Sequence, residues 1–225
     1  KDVSASHAQG ADLNYVCLGN DSFLITLNFY RDCDGISAPT SATVDISSAS
    51  CGFNTTLTLQ PQSSQEVSPL CPSQLQNSTC NGGGLPGSEQ YVYSAVAALP
   101  DCPDLVIGYN LCCRNDQITT LTTPGSFDLY VEATLDNSDS TFCNSSPIFT
   151  TLPVPYVCAG QTFNYNHGAV APDADSLAYT LVCALDAPGT CIPYTAGYNA
   201  TNPINAGFTF NNQTGQMSFT PTGGQ

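Results

Sequence analysis

Tryptophan is absent from this chain of 225 residues, and lysine and arginine together number three, Lys1, Arg31 and Arg114, against 18 acids. So few cations leave no basic footprint for nucleic acid and no positive face for anionic lipid, so neither is expected as a partner. No run of 18 or more apolar residues occurs, and no membrane insertion is expected. Helical periodicity is scarce too, because Pro, Gly, Asn and Ser interrupt every long window. Two histidines, His7 and His167, and no G-x-S-x-G turn leave no nucleophile constellation in view. With only three glutamates and no tryptophan-lined groove, a glycosidase carboxylate pair is not suggested either. The expectation is a chain that is not an enzyme and carries no cofactor, calcium excepted.

Cysteine, by contrast, is plentiful. Twelve are spread along the chain at Cys17, Cys33, Cys51, Cys71, Cys80, Cys102, Cys112, Cys113, Cys143, Cys158, Cys183 and Cys191. No paired C-x-x-C set exists and neither histidine stands near a cysteine cluster, so zinc is disfavoured and disulfides are expected. Disulfides imply an oxidising compartment, hence a secreted or cell-surface protein. The start, "KDVSASHAQG", looks like a mature N-terminus after removal of a signal peptide. A loop rich in Gly, Pro, Ser and Asn, "CPSQLQNSTCNGGGLPGS", suggests a local Cys71–Cys80 bridge.

Short alternating segments recur throughout, and the fold class expected is all-β, two tandem antiparallel β-sandwich (Ig-like) domains stapled by disulfides. In "DSFLITLNFYRDC" the residues Phe23, Ile25, Leu27 and Phe29 share one face. Further strands are expected in "SATVDIS", "NTTLTLQ", "EQYVYSAVAAL", "DLVIGYNLCC", "FDLYVEATL", "PVPYVC", "QTFNYNH" and "LAYTLVC". "AGFTFNNQTGQMSFTPT" reads as a hairpin with its turn between Phe210 and Met217. Polar turn residues give way to a proline-spaced segment near residue 146, which divides the chain into domains 1–146 and 147–225.

In "LVIGYNLCCRND" a strand places Cys112 and Cys113 on opposite faces, so two bridges to different partners are expected: Cys113 through the core and Cys112 to a loop. Cys33, which also ends a strand, is one candidate partner. Arg31 and Arg114 each close a strand beside a cysteine and an acid. In a chain that otherwise avoids positive charge, they are expected as structural clamps, because a guanidinium forks onto several carbonyls or a carboxylate at once.

Asp173 and Asp175, in "APDADSLAY", are candidate calcium ligands on a loop, the other reading being an Asx-rich turn. Six N-x-S/T triplets mark polar surface turns.

Read in order, "SHAQGADLNYVCLGNDSFLITLNFYRDC", "CCRN", "NSSPIF", "NHGAVAPDADSLAYTL" and "FTFNNQTGQMSFTPT" resemble the N-terminal region of large Bacteroidota surface proteins exported by type IX secretion. From about residue 147 the pattern is similar to cadherin-like or immunoglobulin-like repeats, although Ala171 to Ser176 lacks their first acid and glycine. The resemblance implies an extracellular adhesin or filament serving attachment, gliding or cell capture. It also implies a longer parent chain and a repeat lacking its last strand here. Partners would be further domains of that chain, or neighbouring subunits, joined by β-strand contacts, and surface glycans. O-glycosylation at Asp-Ser/Thr-apolar sites, which the resemblance also implies, makes Ser176 and Ser140 candidate acceptors. A carbohydrate-binding module and, more remotely, a secreted hydrolase are the alternatives.

Overall fold

A computed structural model describes residues 8–139, 141–153, 156–204 and 207–222. Alternation of apolar and polar side chains makes the first seven strands: β1 (Ala8–Gly19), β2 (Ser22–Asp32), β3 (Ala42–Ser48), β4 (Phe53–Glu66), β5 (Ser88–Ala98), β6 (Leu105–Leu111) and β7 (Leu129–Leu135). With β11 (Leu185–Ala187) and β12 (Thr190–Cys191) they form one antiparallel sheet in the order β1-β2-β5-β4-β3-β6-β7-β11-β12. The β1–β2 turn runs through Gly19, Asn20 and Asp21, all with positive φ. Gly, Asn and Asp are the residues that tolerate that left-handed region.

Strand β4 folds this sheet into two layers. Its first half, up to Leu59, pairs with β3, and its second half, from Gln60, pairs with β5. Between Pro61 and Ser63 the register slips, leaving Gln62 as an extra residue. Proline offers no N–H to the ladder, and a bulge there bends the strand and increases its twist. The layers meet where the Tyr15 hydroxyl of β1 donates to the Thr134 carbonyl of β7 at 2.9 Å. Between them Phe23, Ile25, Leu27 and Phe29 of β2 pack with Val44 and Ile46 of β3 and Leu105 and Ile107 of β6, each no more than 1% exposed. Each such side chain contributes about 1.5–3 kcal/mol on burial. On the outer face Gly108 lies under Tyr130, where an added Cβ would meet the ring hydroxyl at 2.5 Å.

The free edge of β1 is covered by residues near the expected domain boundary. Tyr15 N donates to Ser146 Oγ, Ser146 N to Tyr15 O, and Cys17 N to Ser145 Oγ. The polypeptide therefore crosses residue 146 on the surface of the first sheet. Beyond it lie β8 (Ile148–Phe149) paired with β10 (Ala169–Val170), and β9 (Phe163–Tyr165) in a small sheet with β13 (Thr209–Phe210) and β14 (Met217–Phe219). The chain then returns to the large sheet. Leu185 pairs with Tyr130, Tyr194 bridges Leu121, and Ile192 is buried.

The hairpin at "NNQTGQ" forms with Phe210 opposite Met217, closed by Gly215 at φ +72°. "LAYTLVC" differs from expectation. Residues 177–183 alternate in exposure but join no sheet, and Tyr179 N to Asn212 O is the one backbone bond that this stretch makes to the hairpin beside it. Alternation specifies an extended chain, whereas a strand also needs a neighbour in register. "PVPYVC" likewise forms no strand at Pro153 or over Tyr156 to Cys158, and residues 154–155 lie outside the described set.

Candidate functional site

The outer face of β1 and β2 carries a polar network that the sheet's register assembles. Asp12 and Asn28 are cross-strand partners, and Asn28 Nδ2 donates to Asp12 Oδ1 at 2.9 Å. Asn14 and the Tyr30 hydroxyl also hydrogen-bond Asp12. Gln90 of β5 donates to Tyr30 Oη at 3.1 Å, and Gln65 of β4 donates to Gln90 Oε1 at 2.7 Å. Burial raises the Asp12 pKa, outweighing these three donors. Burial also raises Tyr30, with the nearby Asp12 charge adding to it.

Phe149, Thr151, Pro153 and His167 lie over this face and help enclose a cleft of about 310 Å³ lined also by Gln9, Asp12, Tyr30 and Ser88, among others. Phe149 packs against His167 at a tilt of 35° with ring centroids 4.7 Å apart, and Tyr165 meets the same imidazole edge-on at 4.8 Å. His167 Nδ1 lies 3.2 Å from the Tyr165 hydroxyl, and burial lowers the His167 pKa, so the ring is neutral at pH 7. Gly168 fixes this corner. Its φ is +63°, its N–H donates to Asn166 Oδ1, and a Cβ there would strike Thr150 Oγ1 at 2.6 Å. Among the described residues no serine or carboxylate hydrogen-bonds His167, and His7 lies outside them. The cleft residues are scattered through the sequence. The signal that could have pointed to them is the polar alternation Gly10, Asp12, Asn14 set opposite Asn28 and Tyr30.

Both arginines fork onto backbone. Arg31 Nε pairs with Glu89 Oε2 at 2.9 Å, its direct cross-strand neighbour, while Nη1 and Nη2 donate to the carbonyls of Gly35, Ile36 and Cys33. Arg114 donates through Nε to Asp128 O at 3.0 Å and through Nη2 to Leu185 O at 2.9 Å, joining the residue just before β7 to β11.

Five disulfides are formed: Cys17–Cys143, Cys33–Cys80, Cys51–Cys102, Cys112–Cys113 and Cys183–Cys191. The local Cys71–Cys80 bridge is not among them. Cys33 N donates to Gly87 O, which brings the end of β2 beside Cys80, while Cys71 is exposed and unpaired. Cys112 and Cys113 bond each other instead of two separate partners. Strand β6 ends at Leu111, so the alternation that would part them does not extend that far. Cys33 is accordingly not a partner of either. Cys158 is exposed and unpaired as well. Among the described residues, Cys112, Cys113 and Asp128 are the one group of three metal-ligating side chains with atoms within 4.8 Å, and the disulfide removes both thiolates from it.

Asp173, on the turn closed by Ala174 N to Ala171 O, and Asp175, just after it, are exposed, and Asp173 Oδ2 accepts the Ser145 N–H. No third acid, histidine or cysteine completes a cation group with them among the described residues. Ser176 is exposed, and Ser140 lies outside the described residues.

A third carboxylate sets an acid dependence. Asp104 accepts from Ser48 Oγ, from Ser50 Oγ at 2.6 Å and from Ser50 N at 3.0 Å. These bonds hold its pKa at about 2, against an ordinary 3.8. A folded pKa below the unfolded one gives stability that is present above about pH 4 and lost as pH falls through about 2. Urea midpoints measured at pH 5, 3 and 2 should therefore fall less for Asp104→Asn than for the parent chain.

Fold and site together define an all-β, antiparallel, disulfide-bonded sandwich with a covered cleft on its outer face, and its cystines are those of an oxidising compartment. Among the described residues no helix is long and apolar enough to cross a membrane. No protein-family model, curated protein or solved structure matches the chain.

Proposed function

We propose that this chain is a non-catalytic structural and adhesion module, secreted to the cell surface as part of a bacterial adhesin or filament that serves attachment, gliding or cell capture. The observation that carries the reading is the placement of the Cys17–Cys143 bridge, which closes a loop over 126 positions and contains strands β2 to β7. Tension applied to the chain ends bypasses everything inside such a loop until the sulfur–sulfur bond is cut. That arrangement suits a part that transmits force. Strand β12, at the end of the nine-strand order, is a place for a further domain or a neighbouring subunit to add by strand pairing.

Single-molecule pulling on the full chain tests the mechanical side. The fully extended oxidised chain should be shorter than the reduced one by about 470 Å, from the 126 positions closed by Cys17–Cys143 and the 8 closed by Cys183–Cys191 at about 3.5 Å each. Equal lengths would remove the support for a force-bearing role. Deleting the region from its parent gene should lower attachment or gliding of the producing cells, and unchanged behaviour would count against adhesion.

A further inference from the structure

The cleft over β1 holds a carboxylate with no cation beside it among the described residues. Lys1 lies outside the described residues, Arg114 is engaged with the carbonyls of Asp128 and Leu185, and Arg31 pairs with Glu89. Arg31 follows Tyr30 in β2, so its side chain leaves the opposite face of the sheet. Among the described residues the titratable groups near Asp12 are Tyr30, Tyr165 and His167; burial raises the two tyrosines and lowers the histidine, which favours the uncharged form of each.

We infer that this cleft binds a primary alkylammonium group, carried by a lysine side chain of a partner or by a free amine. The inference deepens the adhesion reading by naming what the surface recognises, and it rests on that reading only for the source of the amine. Three features select this chemistry. First, the hydrogen bonds to Asp12 come from the neutral side chains of Asn28, Asn14 and Tyr30, so no protein cation competes with a ligand for its carboxylate among the described residues. Second, Tyr30 and Phe149 line the same space, and the electron-rich faces of aromatic rings attract cations. Third, the lining also includes Ala11, Val67 and Pro153, which offer apolar contact to an alkyl stem. A cleft of about 310 Å³ suits such a small group.

Competing ligands fit less well. An anion meets a like charge at Asp12 and a protein of formal charge −15. A neutral saccharide leaves the carboxylate uncompensated. A guanidinium binds best to both carboxylate oxygens at once, and Asn28 already occupies Oδ1. A compact ammonium needs only one point of contact.

Calorimetric titration of the full chain tests this with four probes: N-acetyl-lysine methylamide, its uncharged norleucine counterpart, putrescine and galactose. Lysine amide should bind about tenfold or more tighter than the norleucine compound. Tighter binding of the lysine amide than of putrescine identifies a partner's side chain as the source, and the reverse order a free amine. Asp12→Asn should weaken amine binding about tenfold, and Phe149→Ala about threefold with an unchanged melting temperature, since Phe149 is 45% exposed. If Asp12→Asn does not fold, the norleucine comparison and Phe149→Ala decide the matter. Equal affinity for the norleucine compound, no binding of either amine, or binding of galactose alone overturns the proposal. Loss of cell attachment in the deletion strain without amine binding by the chain would leave the adhesion reading intact and remove this one.

Discussion

Replacing Cys17 and Cys143 together by serine should lower the unfolding free energy by about 5 kcal/mol, the largest single effect expected in this protein. The magnitude follows from loop closure. Restricting the unfolded chain is worth more for longer loops, and this bridge spans 126 positions against 8 for Cys183–Cys191. The same relation gives about 4 kcal/mol for Cys51–Cys102, with a separation of 51, and about 2.5 kcal/mol for Cys183–Cys191. The order of these three losses is therefore a sharper test than any one of them. In the native state the bridge fixes the edge of β1 to the segment that already covers it through Ser145 and Ser146, so its removal leaves those hydrogen bonds in place. For a chain of this size, about 5 kcal/mol corresponds to a fall in melting temperature on the order of 10–20 °C. Denaturant unfolding of the double variant checks the value. A loss under about 1 kcal/mol would mean that residual order, not the cystine, restricts the unfolded chain.

That bridge also marks where sequence reading ran out. The strand face of Phe23, Ile25, Leu27 and Phe29 is legible because a sheet with one buried side imposes a period of two, and the same rule finds Val44 with Ile46 and Leu105 with Ile107. The hairpin before Met217 is legible because Gly215 supplies a left-handed turn residue between two short alternating runs. Pairing of cysteines has no such local rule. Cys80 bonds Cys33 because β2 and β5 run side by side over their whole length, a fact of strand order and not of spacing. Extrapolating alternation past Leu111 misplaced Cys112 and Cys113, since the pleat stops where the ladder stops. The cleft was hidden for a related reason. Asp12 and Tyr30 face it only through register, and Phe149 and His167 reach it only because the later chain folds back over β1. Position in the sequence does mark Arg31 and Arg114 as rare cations at strand ends, but their acceptors, among them Leu185, belong to elements far along the chain.

Arg31→Met should cost about 2–3 kcal/mol, the largest effect expected from replacing a residue other than cysteine. Its guanidinium is 11% exposed and makes two kinds of contact at once: the Glu89 carboxylate across the β2–β5 ladder, and the carbonyls of Cys33, Gly35 and Ile36 in the loop beyond β2. Methionine fills a similar volume but leaves the carboxylate and the carbonyls without their donor. Glu89 is 24% exposed, so water relieves part of the deficit, which holds the cost below that of breaking a fully buried pair. Arg31→Lys separates the two contributions. A lysine ammonium can replace the charge opposite Glu89 but cannot reach both the carboxylate and the loop carbonyls, so it should recover less than half of the loss. A double-mutant cycle with Glu89→Gln then isolates the ion pair, expected at about 1 kcal/mol, and assigns the remainder to the loop. Should Arg31→Lys be as stable as the parent chain, charge alone would account for Arg31, and the fork onto the Cys33–Ile36 loop would contribute nothing to the fold.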